Sequence, residues 1–238
     1  MALSVHVYSG TSGFSYDEWK GCFYPAGLPA RSMLAYYGER LPAVEMNGTF
    51  YRVPSAKTLA AWREQVPEGF RFALKAPRKI THFGRLSGVD DTVAFFYRSA
   101  AELGEKLGAV LYQLPPDARK DLPRLAAFLS LLPPGGRAAF EFRHASWFSD
   151  DVFELLRRDR VALCVADSEE REVPMVSTAP FGYLRLRRPG YEPKDLAAWA
   201  ERILGQGWEA AFVFFKHEEG ARGVAFAQAL ASLLRARA

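Results

Sequence analysis

Eight short segments rich in β-branched and aromatic residues recur along the chain, and stretches with helical periodicity separate most of them. Parallel strands need long crossover connections, so this alternation favours a parallel sheet whose strands are joined by helices. Eight units in 238 residues leave about 30 residues for each, which is the size of one βα unit. The predicted strands cover residues 5–9, 43–47, 70–75, 109–114, 138–143, 161–166, 181–186 and 210–216.

This count predicts a single (β/α)8 TIM barrel spanning residues 1–238, because no Gly/Ser linker or charge block divides the chain. A doubly wound open sheet is the alternative, although such sheets more often stop at five or six strands. One crossover is short: residues 167–180 show no helical period, so we expect a loop or one turn there instead of a full helix. The predicted helices cover residues 31–40, 56–66, 90–107, 120–132, 149–159, 194–205 and 221–236.

Composition excludes several classes of protein. Two cysteines are too few for a disulfide framework or a cysteine-rich zinc module. No apolar run approaches the roughly 18 residues of a membrane span, and the N-terminus lacks the features of a signal peptide. We therefore expect a cytoplasmic protein with no membrane association. Asparagine and glutamine are scarce, which suits a heat-tolerant source.

The positive charge is concentrated in two segments. Residues 69–89 and 181–191 together hold eight cations and no acid, so the rest of the chain carries a net charge of −4 against +4 for the whole. Both segments include predicted strand ends, where the active site of a TIM barrel lies. They predict a cationic side to the barrel mouth and an anionic ligand; the alternative is a solvated cationic surface.

Charged residues also alternate with apolar ones at three predicted strand ends. Residues i and i+2 of a strand share a face, so each charged residue should project together with a polar partner two positions on. The intervening apolar residues then face the helices, and the charged pairs point into the barrel near its mouth. The three pairs are Glu45 with Asn47, Glu141 with Arg143, and Arg185 with Arg187.

Three of the strand-end residues are candidate catalytic groups. Glu45 and Glu141 could supply acid–base chemistry, or could simply neutralise cations across the barrel. His144 could be a further acid or base, or could make an orienting hydrogen bond. The remaining candidates are substrate-binding residues, among which Lys75 is either a catalytic amine or an anion contact. They are Asn47, Tyr51, Lys75, His82, Gln113, Arg143, Trp147, Asp167, Arg185 and His217.

Cofactors are not specified by the sequence. No local metal signature such as H-E-x-x-H appears, so no metal ligands are assigned. Barrel metal sites draw ligands from separate strands, which leaves a divalent metal open although it is not favoured. Residues 218–223 offer backbone amides near the last helix, where phosphate often binds in this fold.

Six motifs follow one another along the chain, at residues 10–25, 44–54, 75, 80–82, 113–116 and 141–147. With these motifs the sequence resembles the YecE-like family, also called domain of unknown function 72, over nearly its whole length. The resemblance implies a TIM barrel but no activity. This chain departs from the family pattern at residues 185–188 and 214–217, where it is more cationic.

Two function hypotheses follow. The first is an enzyme of the hydrolase or isomerase/lyase type, acting on a phosphorylated sugar or phosphodiester by carboxylate acid–base chemistry. The second is a nucleic-acid-binding barrel, catalytic or not, that uses basic loops and exposed aromatic residues. A non-catalytic barrel that binds another partner is a third reading, and the oligomeric state is left open.

Overall fold

The structure is a computed structural model that describes residues 5–169 and 173–237. Eight parallel strands pair in sequence order and close into a barrel, since β1 also pairs with β8. The predicted TIM barrel is therefore confirmed, and the open sheet is excluded. The strands are β1 His6–Ser12, β2 Ala43–Met46, β3 Arg71–Lys75, β4 Leu107–Gln113, β5 Ala138–Glu141, β6 Ala162–Asp167, β7 Phe181–Leu186 and β8 Ala210–Phe215.

Seven α-helices of the described residues surround the barrel. None of these helices is both long and apolar enough to cross a membrane. The described part of the β6–β7 crossover contains no helix, as predicted. The helices are α1 Met33–Gly38, α2 Ala56–Gln65, α3 Asp90–Ala100, α4 Leu122–Leu129, α5 Asp150–Arg158, α6 Pro193–Leu204 and α7 Arg222–Arg235.

A single threonine ties the short crossover to the barrel. The hydroxyl of Thr178 donates to the carbonyl of Val161 at 2.7 Å and accepts from the amide of Leu163 at 2.8 Å. Thr178 is buried, so these bonds satisfy backbone groups that would otherwise lose water without replacement. The side chain thus anchors the end of the crossover to the start of β6.

Side-chain caps mark the starts of α2, which begins as predicted at residue 56, and of α4, which begins two residues after its predicted start at 120. Ser55 accepts from the amide of Thr58 at 3.2 Å, and Asp121 accepts from the amide of Arg124 at 3.0 Å. Such caps satisfy amides that have no partner inside the helix. Ser149 also precedes a helix, but its hydroxyl donates to Asp151 at 2.6 Å and makes no cap bond.

Small and large side chains line different parts of the barrel interior. Strands β2 to β6 contribute mainly alanine to it, whereas β7 and β8 contribute aromatic rings. The rings occupy the volume that the alanines leave, which keeps the interior closely packed. The inward residues include Ala43, Ala73, Ala109, Ala139, Ala162, Phe181, Tyr183, Phe212 and Phe214.

The pairing of β1 with β2 depends on a tyrosine from α1. The hydroxyl of Tyr37 accepts from the amide of Thr11 and donates to the carbonyl of Ala43, each at 2.9 Å. A Cβ atom at Gly10 would lie 1.9 Å from that same carbonyl oxygen, so the strands require glycine there. We call this contact between β1 and β2 the seam. Because the pairing with β2 continues along it, β1 runs to Ser12, three residues beyond its predicted end at residue 9.

Candidate functional site

The charged residues of the strand ends project into the barrel mouth as their alternation predicts. Glu45, Glu141 and Arg185 are buried, and Arg185 hydrogen-bonds directly to both glutamates across the interior. The residues that follow them, Met46, Phe142 and Leu186, belong to the apolar layer between strands and helices.

Arg185 bridges the two carboxylates. Its Nη2 donates to Glu45 Oε1 at 2.6 Å, and its Nη1 donates to Glu141 Oε2 at 2.5 Å. Exposure of the three side chains is at most 3%. Three charges buried at this depth are tolerated only when they are paired with good geometry. We call Glu45, Arg185 and Glu141 the clamp.

Neutral side chains complete the bonding of the clamp. Ser12 Oγ donates to Glu45 Oε1 and Tyr183 Oη to Glu45 Oε2, each at 2.8 Å. Gln113 Nε2 donates to Glu141 Oε1 at 2.7 Å. Every carboxylate oxygen of the clamp therefore has a donor, as buried charges require.

The clamp carboxylates are ionised at neutral pH. Burial alone would raise the pKa of Glu141, but the positive charges of Arg185 and Arg187 outweigh it and hold the pKa at about 2. The same balance holds the pKa of Glu45 below its ordinary value. Both residues stay ionised and can stabilise positive charge, and neither is a proton donor at neutral pH.

Lys75 at the end of β3 is connected to the clamp through a glutamine. Its Nζ donates to Gln113 Oε1 at 2.8 Å and lies 4.2 Å from the ring centre of Phe50. Among the described residues no carboxylate pairs with it. Burial, followed by the charge of Arg185, lowers the pKa of Lys75 to about 8.

A further cation, Arg187, lies two residues beyond Arg185. Its Nε is buried and has no hydrogen-bond partner among the described residues, and the same is true of Arg185 Nε. Burial and repulsion by Arg185 lower the pKa of Arg187. Asn47 Oδ1 lies 3.4 Å from Arg185 Nη2, which places this predicted binding residue beside the clamp.

Two predicted site residues on the loop after β5 bond to their surroundings instead of the clamp. His144 Nδ1 accepts from the amide of Ser146 at 3.1 Å and so caps a short helical turn. Trp147 is buried, stacks on Phe142 with ring centres 4.5 Å apart, and donates from Nε1 to the carbonyl of Ala118 at 2.8 Å. In this structure both side chains anchor loops.

Asp167 and His217 form a second group around Arg188. Asp167 lies on the outward side of β6 and accepts from Arg188 Nε at 2.9 Å and from Tyr191 Oη at 2.8 Å. His217 Nε2 lies 2.5 Å from the carbonyl oxygen of Arg188. Alternation explains the first placement, because β6 turns Ala166 to the interior and Asp167 away from it.

Tyr51 and His82 lie at the rim of the mouth. Tyr51 is 70% exposed. The ring of His82 packs against Phe50 with centres 4.9 Å apart. Burial, followed by the charges of Lys75 and Arg143, lowers the pKa of His82, so it is neutral at pH 7. These charges place Lys75 and Arg143 within electrostatic reach of His82.

Two members of the bonding network were not among the predicted site residues. Ser12 was missed because the predicted first strand ended at residue 9. Tyr183 reads as a core aromatic, yet it lies two residues before Arg185 on the same face of β7, so alternation is the signal that identifies it.

The described residues contain no group of three or more histidines, cysteines, aspartates and glutamates arranged to hold a metal ion. In the loop after β8, the amides of Ala221 and Gly223 already donate to the carbonyls of Glu218 and His217. Two amides of the expected phosphate-binding position are therefore in use within the loop itself.

Comparison with known proteins places the chain in a family. A family model described as "Protein of unknown function DUF72" matches residues 8–238. The UPF0759 protein YunF of Bacillus subtilis (strain 168) is 27% identical over 228 residues, which cover 90% of this chain and 79% of YunF.

Solved structures show the same architecture. A DUF72 family protein from Thermotoga maritima MSB8 is 26% identical with a TM-score of 0.84, over 97% of this chain and 99% of that one. A DUF72 family protein from Enterococcus faecalis V583 is 21% identical with a TM-score of 0.78, over 98% and 99%; at that identity the likeness shows the fold alone. Because the family model covers nearly the whole sequence, the chain belongs to the DUF72 family, proteins of unknown function.

Proposed function

We propose that this protein is an enzyme that binds an anionic substrate, a sugar phosphate or a related phosphate ester, at the C-terminal mouth of the barrel. The observation that carries the proposal is the charge balance there. Arg185 is already engaged by both buried carboxylates, while Lys75 and Arg187 have no carboxylate partner among the described residues. Half-buried cations without a carboxylate partner favour an anion.

The clamp and its neighbours have separate roles in this proposal. Arg187 contacts the anionic group, Lys75 adds a positive charge near it, and Asn47 lies close enough to orient it. Glu45 and Glu141 stay ionised and stabilise developing positive charge, because their low pKa values make them poor proton donors and weak bases. His144 keeps a role in orienting substrate, through the ring nitrogen that does not cap the loop.

Isothermal titration calorimetry with ribose 5-phosphate and inorganic phosphate at pH 7 tests the proposal. A hydrogen bond to a charged group contributes about 1.5 to 3 kcal/mol, so Arg187→Gln should weaken binding about tenfold or more. Arg158→Gln removes the same charge from the exposed end of α5 and should leave affinity unchanged. Equal affinity in wild type and Arg187→Gln, or no binding of either compound at millimolar concentration, would contradict the proposal.

Nucleic-acid binding is the second candidate, and an exposed aromatic surface supports it. Tyr51 and Phe83 are 70% and 69% exposed. The guanidinium carbon of Arg78 lies 5.7 Å from the first ring centre and 5.2 Å from the second. We call Tyr51, Arg78 and Phe83 the aromatic ledge. Rings and cations arranged in this way can stack bases and contact phosphates.

Calorimetric titration with an oligonucleotide distinguishes the two candidate functions. Single-stranded DNA that binds with steep salt dependence, and that Tyr51→Ala weakens about fivefold or more, would favour the ledge as the principal ligand site. Oligonucleotide binding unaffected by Tyr51→Ala would remove the second candidate. Arg158→Gln serves again as the charge control.

A further inference from the structure

We propose that Lys75 is a nucleophilic amine that condenses with the carbonyl carbon of an anionic aldehyde or ketone bound at the mouth. This inference rests on the proposed function and adds the substrate class: a phosphorylated or carboxylated carbonyl compound. It assigns to Lys75 a covalent role that a simple anion contact would not need.

The position of Lys75 differs from that of the other lysines. It is half-buried at the end of a barrel strand, where reacting groups of this fold lie. Its printed contacts are a neutral amide oxygen and an aromatic ring. The other lysines are paired with carboxylates or lie exposed on the surface. The pairs are Lys20 with Asp17, Lys106 with Glu68, Lys120 with Asp151, and Lys194 with Glu192, and the exposed residues are Lys57, Lys79 and Lys216.

These surroundings favour the neutral amine, which is the nucleophilic form. A carboxylate partner would hold the ammonium charge, whereas burial and the nearby Arg185 oppose it. With a pKa of about 8, roughly a tenth of the lysine is neutral at pH 7. An exposed lysine with an unperturbed pKa near 10.4 has less than about 0.1% neutral amine at that pH.

Gln113 fixes the direction of the amine. Its Oε1 accepts from Lys75 Nζ while its Nε2 donates to Glu141, so the amide cannot turn over without losing both bonds. The ring of Phe50 limits the amine on another side. Gln113 is thus a positioning residue that connects the amine to an ionised carboxylate through one side chain.

The condensation balances without a further reactant. The nitrogen lone pair of neutral Lys75 forms a bond to the carbonyl carbon, and the carbonyl π electrons move to oxygen. One amine proton passes to that oxygen and gives a carbinolamine. The hydroxyl then leaves with a proton from solvent as water, and the nitrogen retains one hydrogen in a protonated imine. The negative charges of the clamp carboxylates stabilise this new cation.

The anionic group of the substrate explains why the amine lies among cations. Arg187, with its buried Nε unpartnered among the described residues, would hold the phosphate or carboxylate. The carbonyl end of the same molecule would reach Lys75. Repulsion by Arg185 and Arg187 favours the neutral amine in the free protein.

Reductive trapping on the wild-type protein tests the inference. Glyceraldehyde 3-phosphate with sodium cyanoborohydride would convert the imine to a stable secondary amine, which peptide mass spectrometry locates. We expect Lys75 to be labelled at least tenfold faster than Lys79, an exposed lysine four positions away. Its labelling rate should rise with pH to a midpoint near 8. Labelling of Lys75 no faster than that of Lys79 would overturn the inference.

Two comparisons separate this inference from the proposed function. Inorganic phosphate in excess should slow labelling of Lys75 but not of Lys79, and uncharged glyceraldehyde should label Lys75 at least fivefold more slowly than its phosphate. Equal rates with the two aldehydes would overturn the anionic substrate class. Calorimetric binding of ribose 5-phosphate together with no selective labelling would leave the proposed function standing and refute the amine. Lys75→Arg keeps the charge and should abolish the labelled peptide.

Discussion

Replacing Arg185 by leucine should lower the free energy of unfolding at pH 7 by about 3 to 5 kcal/mol, the cost of breaking a buried ion pair by removing one partner. Arg185 is 1% exposed and bonds to both carboxylates of the clamp. Without it, Glu45 and Glu141 remain buried with only neutral donors and the neighbouring Arg187. The loss is checked by urea denaturation followed by circular dichroism.

The loss of unfolding free energy in Arg185→Leu should become smaller as pH falls. In the wild type the folded pKa of each clamp carboxylate is depressed, so the stability they add is present above their unfolded pKa of about 4.3. It is lost as pH falls toward about 2, the folded pKa of Glu141. In Arg185→Leu, burial raises both folded pKa values, so protonation stabilises the variant as pH falls. The difference between the two proteins should therefore narrow between pH 6 and pH 3.

Two further variants control this experiment. Arg158→Leu breaks an exposed ion pair with Asp159 and should cost less than about 1 kcal/mol. A triple variant, Glu45→Gln, Glu141→Gln and Arg185→Met, removes every clamp charge and should recover at least half of the loss, because an uncompensated charge is then absent. A pH-independent loss below about 1 kcal/mol in Arg185→Leu would show that the clamp is not the electrostatic centre described.

Replacing Tyr37 by phenylalanine should cost about 2 to 5 kcal/mol although it removes a single oxygen atom. The hydroxyl satisfies the amide of Thr11 and the carbonyl of Ala43 in a fully buried position. Leaving a buried polar group unpaired costs about 1 to 3 kcal/mol, and two groups are affected here. Thermal and urea unfolding measure the change.

Tyr97→Phe is the matched control for this substitution. The hydroxyl of Tyr97 bonds to the hydroxyl of Tyr112 at 3.0 Å and, within residues 5–169 and 173–237, to no backbone group. Its loss leaves one side-chain hydroxyl without a partner, so we expect a cost of about 1 kcal/mol. If the two variants are equally stable, the hydroxyl of Tyr37 does not hold the seam between β1 and β2.

The sequence is most informative about the architecture. Eight strands, their order and a sixth crossover whose described part has no helix follow from periodicity and segment length, which depend on local sequence. The inward direction of Glu45, Glu141 and Arg185 follows from period-two alternation. The extension of β1 to Ser12 does not follow from local sequence. It depends on Tyr37, which is distant from Ser12 in the sequence and contacts the seam only in the folded barrel.

The site is only partly visible in the sequence. The sequence identifies five candidates that the structure brings into one hydrogen-bonded network. They are Lys75, Gln113, Glu141, Glu45 and Arg185. The sequence does not reveal which of these side chains form ion pairs or hydrogen bonds with each other. A strand-end charge looks the same whether it is neutralised, as in Glu141, or lacks an opposite charge, as in Lys75. Asp167 and Trp147 were assigned to the site on position alone, and their bonds lie elsewhere.

The central claim is that Lys75 and Arg187 together carry one positive charge more than the net negative charge of the clamp, and calorimetry with sulfate tests it most directly. Sulfate keeps its charge between pH 6.5 and 9.5, so any change in affinity reports on the protein. Lys75 loses its proton near pH 8, so wild-type affinity should fall about tenfold across that range. Lys75→Met should bind sulfate weakly with no such fall. Wild-type affinity that is independent of pH and equal to that of Lys75→Met would contradict the account.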